Sequence, residues 1–129
     1  MVKRFIDSDI FSKRWFRVLS AEEKVLWLLI TNQCTYDGFW EHDKEVVKFY
    51  CGYDGDIPDI IKAKLGMHKI DDEQWFLKNW VSFQYGKLRT NLRPHKRIIE
   101  RIKSKGLDDL FPELEEEMSI EYINEVQHG

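Results

Sequence analysis

Apolar positions along this chain repeat with two periods, about 3.6 residues over most of its length and 2 residues over one short stretch. In SDIFSKRWFRVL, Ile10, Phe11, Trp15, Val18 and Leu19 recur at helical spacing, and Ser8 or Asp9 can cap the free amides, which predicts a helix over about 9–19. SAEEKVLWLLITNQ opens with Ser20 and places Glu23 three residues later, a capping box, before Val25, Leu26, Leu28, Leu29 and Ile30 fill more than one face. This is the helix expected to be most buried. Tyr36, Asp37 and Gly38 turn the chain, and Phe39, Trp40 and Glu41 read as a very short strand. Asp43 caps a third helix, DKEVVKFYCG, with Val46, Val47, Tyr50 and Cys51 inward and Gly52 closing it. Asp56 caps a fourth, DIPDIIKAKLG, with Pro58 in the first turn, an apolar stripe of Ile57, Ile60, Ile61 and Leu65, and Gly66 as its stop.

The period then changes. MHKI, a polar tip of Asp71, Asp72 and Glu73, and QWFL form two short runs about a tight turn, the pattern of a β-hairpin. KNWVSFQYG returns to helical spacing through Trp80, Val81 and Phe83. Helix, helix, short strand, helix, helix, hairpin is the order of a winged-helix domain. The expected fold is therefore α+β, mostly helical: a helix-turn-helix plus a short hairpin, with an additional basic helix and an acidic tail. In that architecture the helix over 56–65 is offered to the DNA major groove and the hairpin is the wing. Many small α+β domains share a helical body with one hairpin, so the order alone does not determine function.

Charge divides the chain more sharply than periodicity does. Residues 1–83 carry 12 basic and 14 acidic side chains, 84–107 carry 8 and 1, and 108–129 carry 0 and 8. Three parts follow: a winged-helix body over 1–83, a basic linker and helix packed on it over 84–107, and an acidic tail over 108–129. In the basic part, Pro94 suits a first helical turn and Gly106 a stop, and His95, Ile98, Ile99 and Ile102 fall on one side of the wheel. Lys96, Arg97, Arg101, Lys103 and Lys105 spread over the rest, interrupted by Glu100, and Lys87, Arg89 and Arg93 lie in the linker before it. A helix with one apolar stripe and cations elsewhere is a rigid phosphate-binding ridge, because each neutralised phosphate releases counterions. Cations near a helix C-terminus also complement its dipole, but the linker arginines have no dipole to serve. The acidic part mixes Leu114, Met118, Ile120, Tyr122, Ile123 and Val126 with its carboxylates. A helix over about 113–126 is expected there, competing with nucleic acid by charge mimicry or binding a second subunit, beside the plain alternative of a solubilising tail.

The segments DIFSKRWFRVLSAEEKVLWLLITN, YDGFWEHDKEVV and WFLKNWVSFQYGKLRTNLRPHKRIIERIKSKGL, within about residues 4–107, resemble the N-terminal domain of phage and prophage replisome-organiser proteins, a group related to the DnaD-type primosome proteins. The most specific part is the aromatic hairpin leading into FQYG, followed by the basic linker and the HKRII helix start. The resemblance implies a winged-helix domain that helps recruit the replication machinery to DNA, with a helicase loader among the expected partners. Proteins of that group often continue into a second domain that binds DNA or the loader, where this sequence has a short acidic segment.

Taken together, the residues and the resemblance predict a DNA-binding protein of replication initiation or replisome assembly, contacting duplex or forked DNA mainly through phosphates. The expected contacts are Lys87, Arg89, Arg93, Lys96, Arg97, Arg101 and Lys103, with Lys62 and Lys64 as weaker candidates on the helix over 56–65. That helix offers no Arg, Asn or Gln for bidentate base contacts, so base reading is expected to be poor. Its acidic wing tip would be repelled by phosphate. Lys13, Arg14 and Arg17 could extend the positive surface. The alternatives are a protein-interaction or dimerisation module, using Trp75, Phe76 and the tail, and a transcription regulator; a homodimer is left open. Catalysis, cofactors and metals find no support: four histidines and two cysteines are scattered without zinc-ligand spacing, no phosphate loop exists, and Asp54, Asp56 and Asp59 read as helix caps rather than a cation loop. The longest apolar run, Val25–Ile30, is far short of a bilayer span, and neither cysteine suggests a disulfide, so a reduced, cytoplasmic setting is expected.

Overall fold

The structure, a computed structural model, describes residues 3–114. Of the tail helix expected over 113–126, residues 115 onward lie outside the described residues. The chain divides into two compact units, one ending at Gln84 and one beginning at Tyr85.

In the first unit the expected helix over 9–19 is broken in two. A 3-10 turn, Ile10–Ser12, is followed by Lys13 in extended conformation and then by a single α-helical turn, α1 (Arg14–Arg17). Neither Ser8 nor Asp9 caps it; Asp7 accepts the Asp9 amide instead. The break lets the aromatics meet: Trp15 lies 4.9 Å from Trp27 and Phe16 5.4 Å from Phe11, both edge-on. Phe16 is fully buried, whereas Phe11 and Val18, expected inward, are exposed. Helix α2 (Ala21–Gln33) starts with both halves of the Ser20–Glu23 capping box formed. It buries Leu26 and Ile30 completely and leaves Val25 and Leu28 partly in water, so it is less enclosed than its composition suggests.

Thr35 and Asp37 close the next turn through a short side-chain hydrogen bond, and Asp37 is buried. Strand β1 (Phe39–Glu41) leads to α3 (Lys44–Cys51), whose first amides bond the Asp43 carboxylate. Val47 and Cys51 face inward; Tyr50 does not, being 62% exposed. Helix α4 (Asp59–Leu65) starts later than expected, because Pro58 occupies the N-cap position in extended conformation. Asp54, Asp56 and Asp59 are therefore not caps. Asp54 lies 3.7 Å from Lys48, the Asp56 carbonyl accepts the Tyr53 hydroxyl at 2.6 Å, and Asp59 is the first helical residue.

Gly66 ends α4 with φ +61°. A side chain there would be strained twice over, since a Cβ would stand 2.8 Å from Asn79 Cγ. Asn79 fills that space to donate to the Lys64 carbonyl at 3.2 Å, and the Lys78 amide bonds the Gly66 carbonyl at 3.0 Å. The end of α4 is thus tied to the start of α5 (Lys78–Tyr85). Between them run β2 (Met67–Lys69) and β3 (Gln74–Leu77), the expected hairpin. The Asp71 carboxylate accepts the Glu73 and Gln74 amides and shapes the turn.

The sheet is antiparallel, with order β1-β3-β2. Phe39 opposes Phe76 with ring centroids 5.0 Å apart, Trp40 opposes Trp75, and Met67 opposes Leu77. This pairing places Phe76 and Leu77 at zero exposure. Phe76, considered as a surface contact for a protein partner, is thereby a core residue instead.

In the second unit, α6 (Arg93–Ser104) buries His95, Ile98, Ile99 and Ile102. Pro94 lies in its first turn, as expected. Its C-terminus is a Schellman motif: the Gly106 amide bonds the Lys103 carbonyl, and the Leu107 amide bonds Ile102, both at 3.0 Å. Gly106 takes φ +70° there. A 3-10 turn, Asp108–Leu110, follows and contacts α6, with Phe111 and Leu114 buried beyond it.

Candidate nucleic-acid interface

Seven of the nine predicted contacts belong to the second unit and are brought together on α6 and the loop before it. At about 100° per residue, the four buried positions of α6 span an arc of about 100°, and Arg93, Lys96, Arg97, Arg101 and Lys103 spread over about 160° of the opposite side. All five are exposed, as are Lys87 and Arg89 in the loop and Lys105 after the helix. Lys87, Arg89, Arg93, Lys96 and Arg97 have no described carboxylate within ion-pair distance; the ion pairs Lys13–Asp7, Lys48–Asp54 and Lys62–Asp59 all lie in the first unit. Glu100 is exposed at the centre of the positive arc, one turn from Lys96, Arg97 and Lys103.

The loop carrying Lys87 and Arg89 is ordered by two anchors. Leu88 is fully buried, and the Arg89 amide donates to His95 Nδ1 at 3.0 Å. The Leu92 amide returns to the Arg89 carbonyl at 3.2 Å. His95 therefore serves two ends: its ring packs edge-on 6.0 Å from Tyr85, and its Nδ1 holds the loop against the first turn of α6. Sequence periodicity placed His95 on the apolar face, but the partner of its nitrogen is a backbone group, which no side-chain pattern reveals.

Lys62 and Lys64 occupy different surroundings in the first unit. Lys62 is half-buried, 3.2 Å from the Asp59 carboxylate and 6.0 Å above the Trp75 ring. Lys64 lies 5.5 Å above the Trp15 ring. Lys62 is thus ion-paired with Asp59, whereas Lys64 is exposed and has an aromatic face beside it rather than a carboxylate. The other cations of the first helical region divide likewise: Lys13 pairs with Asp7, while Arg14 and Arg17 are exposed.

Burial also decides the state of the two thiols, both in the first unit. Burial pushes Cys34 up to about 11, outweighing the opposing pull of Arg4, and burial raises Cys51 as well. No helix among the described residues is long and apolar enough to cross a membrane. Comparison with family models, with curated proteins and with solved structures returns no match for this chain.

Proposed function

We propose that the chain is a winged-helix DNA-binding protein of phage type, acting in the cytoplasm in replication initiation or replisome assembly and contacting duplex or forked DNA through phosphates along α6. The winged-helix reading is supported by the element order α1, α2, β1, α3, α4, β2, β3 and by the sheet order β1-β3-β2, in which the second hairpin strand pairs with the isolated strand. The replication reading is supported by the likeness of the hairpin, FQYG and HKRII segments to replisome-organiser proteins, and from it comes a helicase loader as the expected protein partner.

One observation carries the DNA reading. Arg93 and Lys96 stand in the first turn of α6 and Arg97 just beyond it, where the positive end of the helix dipole disfavours cations, and the N-cap residue Leu92 supplies no side-chain cap. Helix stability gains nothing from this placement. An incoming phosphate gains doubly, from the cations and from the positive end of the helix dipole. Salt-dependent binding to random and forked duplexes tests the reading. The expected slope of log affinity against log salt is about −3 to −6, at about −0.9 per phosphate contacted. A slope near zero, or no binding at about 50 mM salt, would sink it.

A further inference from the structure

The first unit holds a cleft of about 560 Å³ that the DNA reading does not use. Its floor is aromatic and aliphatic, built from Trp15, Trp27, Trp80, Ile10 and Leu65. Its rim is formed by the segment preceding the 3-10 turn, by α2 and by α5. The Gln84 side chain clamps that segment from both sides, accepting the Phe5 amide at 2.9 Å and donating to the Phe5 carbonyl at 2.7 Å. The clamp holds backbone and leaves the side chains outward: Phe5 is 72% exposed and Ile6 80%, beside Leu28 and Phe83 at 44% and 51%. Four bulky apolar side chains in water around one concavity of ligand size are the mark of an interaction site.

Charge on the walls narrows the occupant. Lys13 is neutralised by Asp7, whose carboxyl is held below its ordinary value by that hydrogen bond. Arg4 has no described carboxylate beside it: its guanidinium lies 5.3 Å above the Trp80 ring and donates to the Thr31 carbonyl at 3.0 Å and to Cys34 Sγ at 3.3 Å, both uncharged. Lys64 has the Trp15 ring and no described carboxylate. Two cations thus flank an apolar floor, each beside an aromatic face and neither beside a described carboxylate. We infer that this cleft is a docking site for an acidic segment of a partner protein, one that inserts bulky apolar side chains over Trp15, Trp27 and Trp80 and sets carboxylates against Arg4 and Lys64.

The three tryptophans of the floor report on occupancy directly. The full chain is titrated with a synthetic peptide of glutamate, leucine and phenylalanine in amphipathic order, following tryptophan fluorescence and calorimetry. Saturable binding is expected, weakened about tenfold by Lys64→Glu and at least as much by Leu28→Ser with Phe83→Ser. All three positions are at the surface, and thermal melts confirm folding; should the double variant unfold, Lys64→Glu alone carries the test. The idea is overturned if no saturable binding occurs, if the peptide with lysine in place of glutamate binds equally well, or if the variants bind as tightly as the parent. It is also overturned if an oligothymidylate binds the cleft more tightly than the peptide, which would make it a nucleic-acid site. Self-association abolished by the double variant, without peptide binding, would assign the cleft to a second copy of the chain. The salt slope for duplex DNA is expected to be the same in parent and variants, so failure here and failure of the DNA reading are separate results.

Discussion

On α4, Lys62 is half-buried between Asp59 and the Trp75 ring, and Lys64 lies over Trp15. On α6, Arg93, Lys96 and Arg97 stand in water with no described carboxylate at ion-pair distance, at the end of the helix where cations are least welcome. Both helices are amphipathic and both carry lysines between apolar positions. What separates them is the neighbourhood: on α4 both ammonium groups lie over aromatic rings and Lys62 is ion-paired with Asp59, whereas the outer arc of α6 carries five cations around a single carboxylate. A cation's availability is set by what packs beside it, and the helix that a winged-helix reading would send into the groove is the one with less to offer.

The largest effects test the frame on which this contrast stands. Ile102→Ala in α6 and Ile61→Ala in α4, both fully buried, are each expected to cost about 2–5 kcal/mol of stability by urea denaturation. A loss below about 1 kcal/mol at Ile102 would mean that α6 is not a firmly held rod. Next comes the contrast itself. Arg93→Glu with Arg97→Glu should weaken duplex binding about a hundredfold at low salt and flatten the salt slope by about 1.8, two contacts' worth. Glu100→Gln, which removes the carboxylate at the centre of the positive arc, should tighten binding severalfold. Any weakening would show that Glu100 orders the arc rather than opposing it. Lys62→Ala with Lys64→Ala should change DNA affinity by about twofold or less, while costing about 0.5–1 kcal/mol of stability through the lost ring contacts. A tenfold loss of affinity there would reverse the comparison.

The smallest expected effect touches neither helix. Burial, aided by Lys44, holds His42 below its ordinary value, where its ring stacks 5.2 Å from Trp40. A group depressed in this way binds its proton more readily in the unfolded chain, so stability declines as pH falls from about 6.5 through the folded value and levels off below it. His42→Gln should flatten that decline in urea midpoints taken at about pH 7 and pH 5. DNA affinity over the same window should not respond to the substitution.

Much of the architecture was legible in local pattern. The Ser20–Glu23 box, Asp43 before α3, Gly66 and Gly106 after their helices, and the change of period at the hairpin act through neighbours within a few residues, and such signals survive without knowledge of the fold. The misreadings share one cause. The helix expected over 9–19 breaks at Lys13, and Trp15 and Phe16 both pack against Trp27, a ring from outside their own segment. Spacing puts Pro58 two positions deeper in its helix than the structure does, so Asp56 loses the capping role that spacing suggests. Tyr50 and Val18 fit an apolar stripe but face water, since each helix buries a narrower arc than its composition could supply.

By itself, the sequence determined the helical and hairpin segments, the amphipathic order of α6 and the concentration of eight cations in residues 84–107. These are properties of short-range periodicity and covalent order, and they hold whatever the chain packs against. Only the tertiary structure decided which lysines are engaged by rings, that the His95 nitrogen holds the Arg89 amide, and that Phe5, Leu28 and Phe83 surround one cleft. Those facts depend on groups far apart in sequence meeting within a few ångströms, and such meetings are arranged by the folded core rather than by any local run of residues.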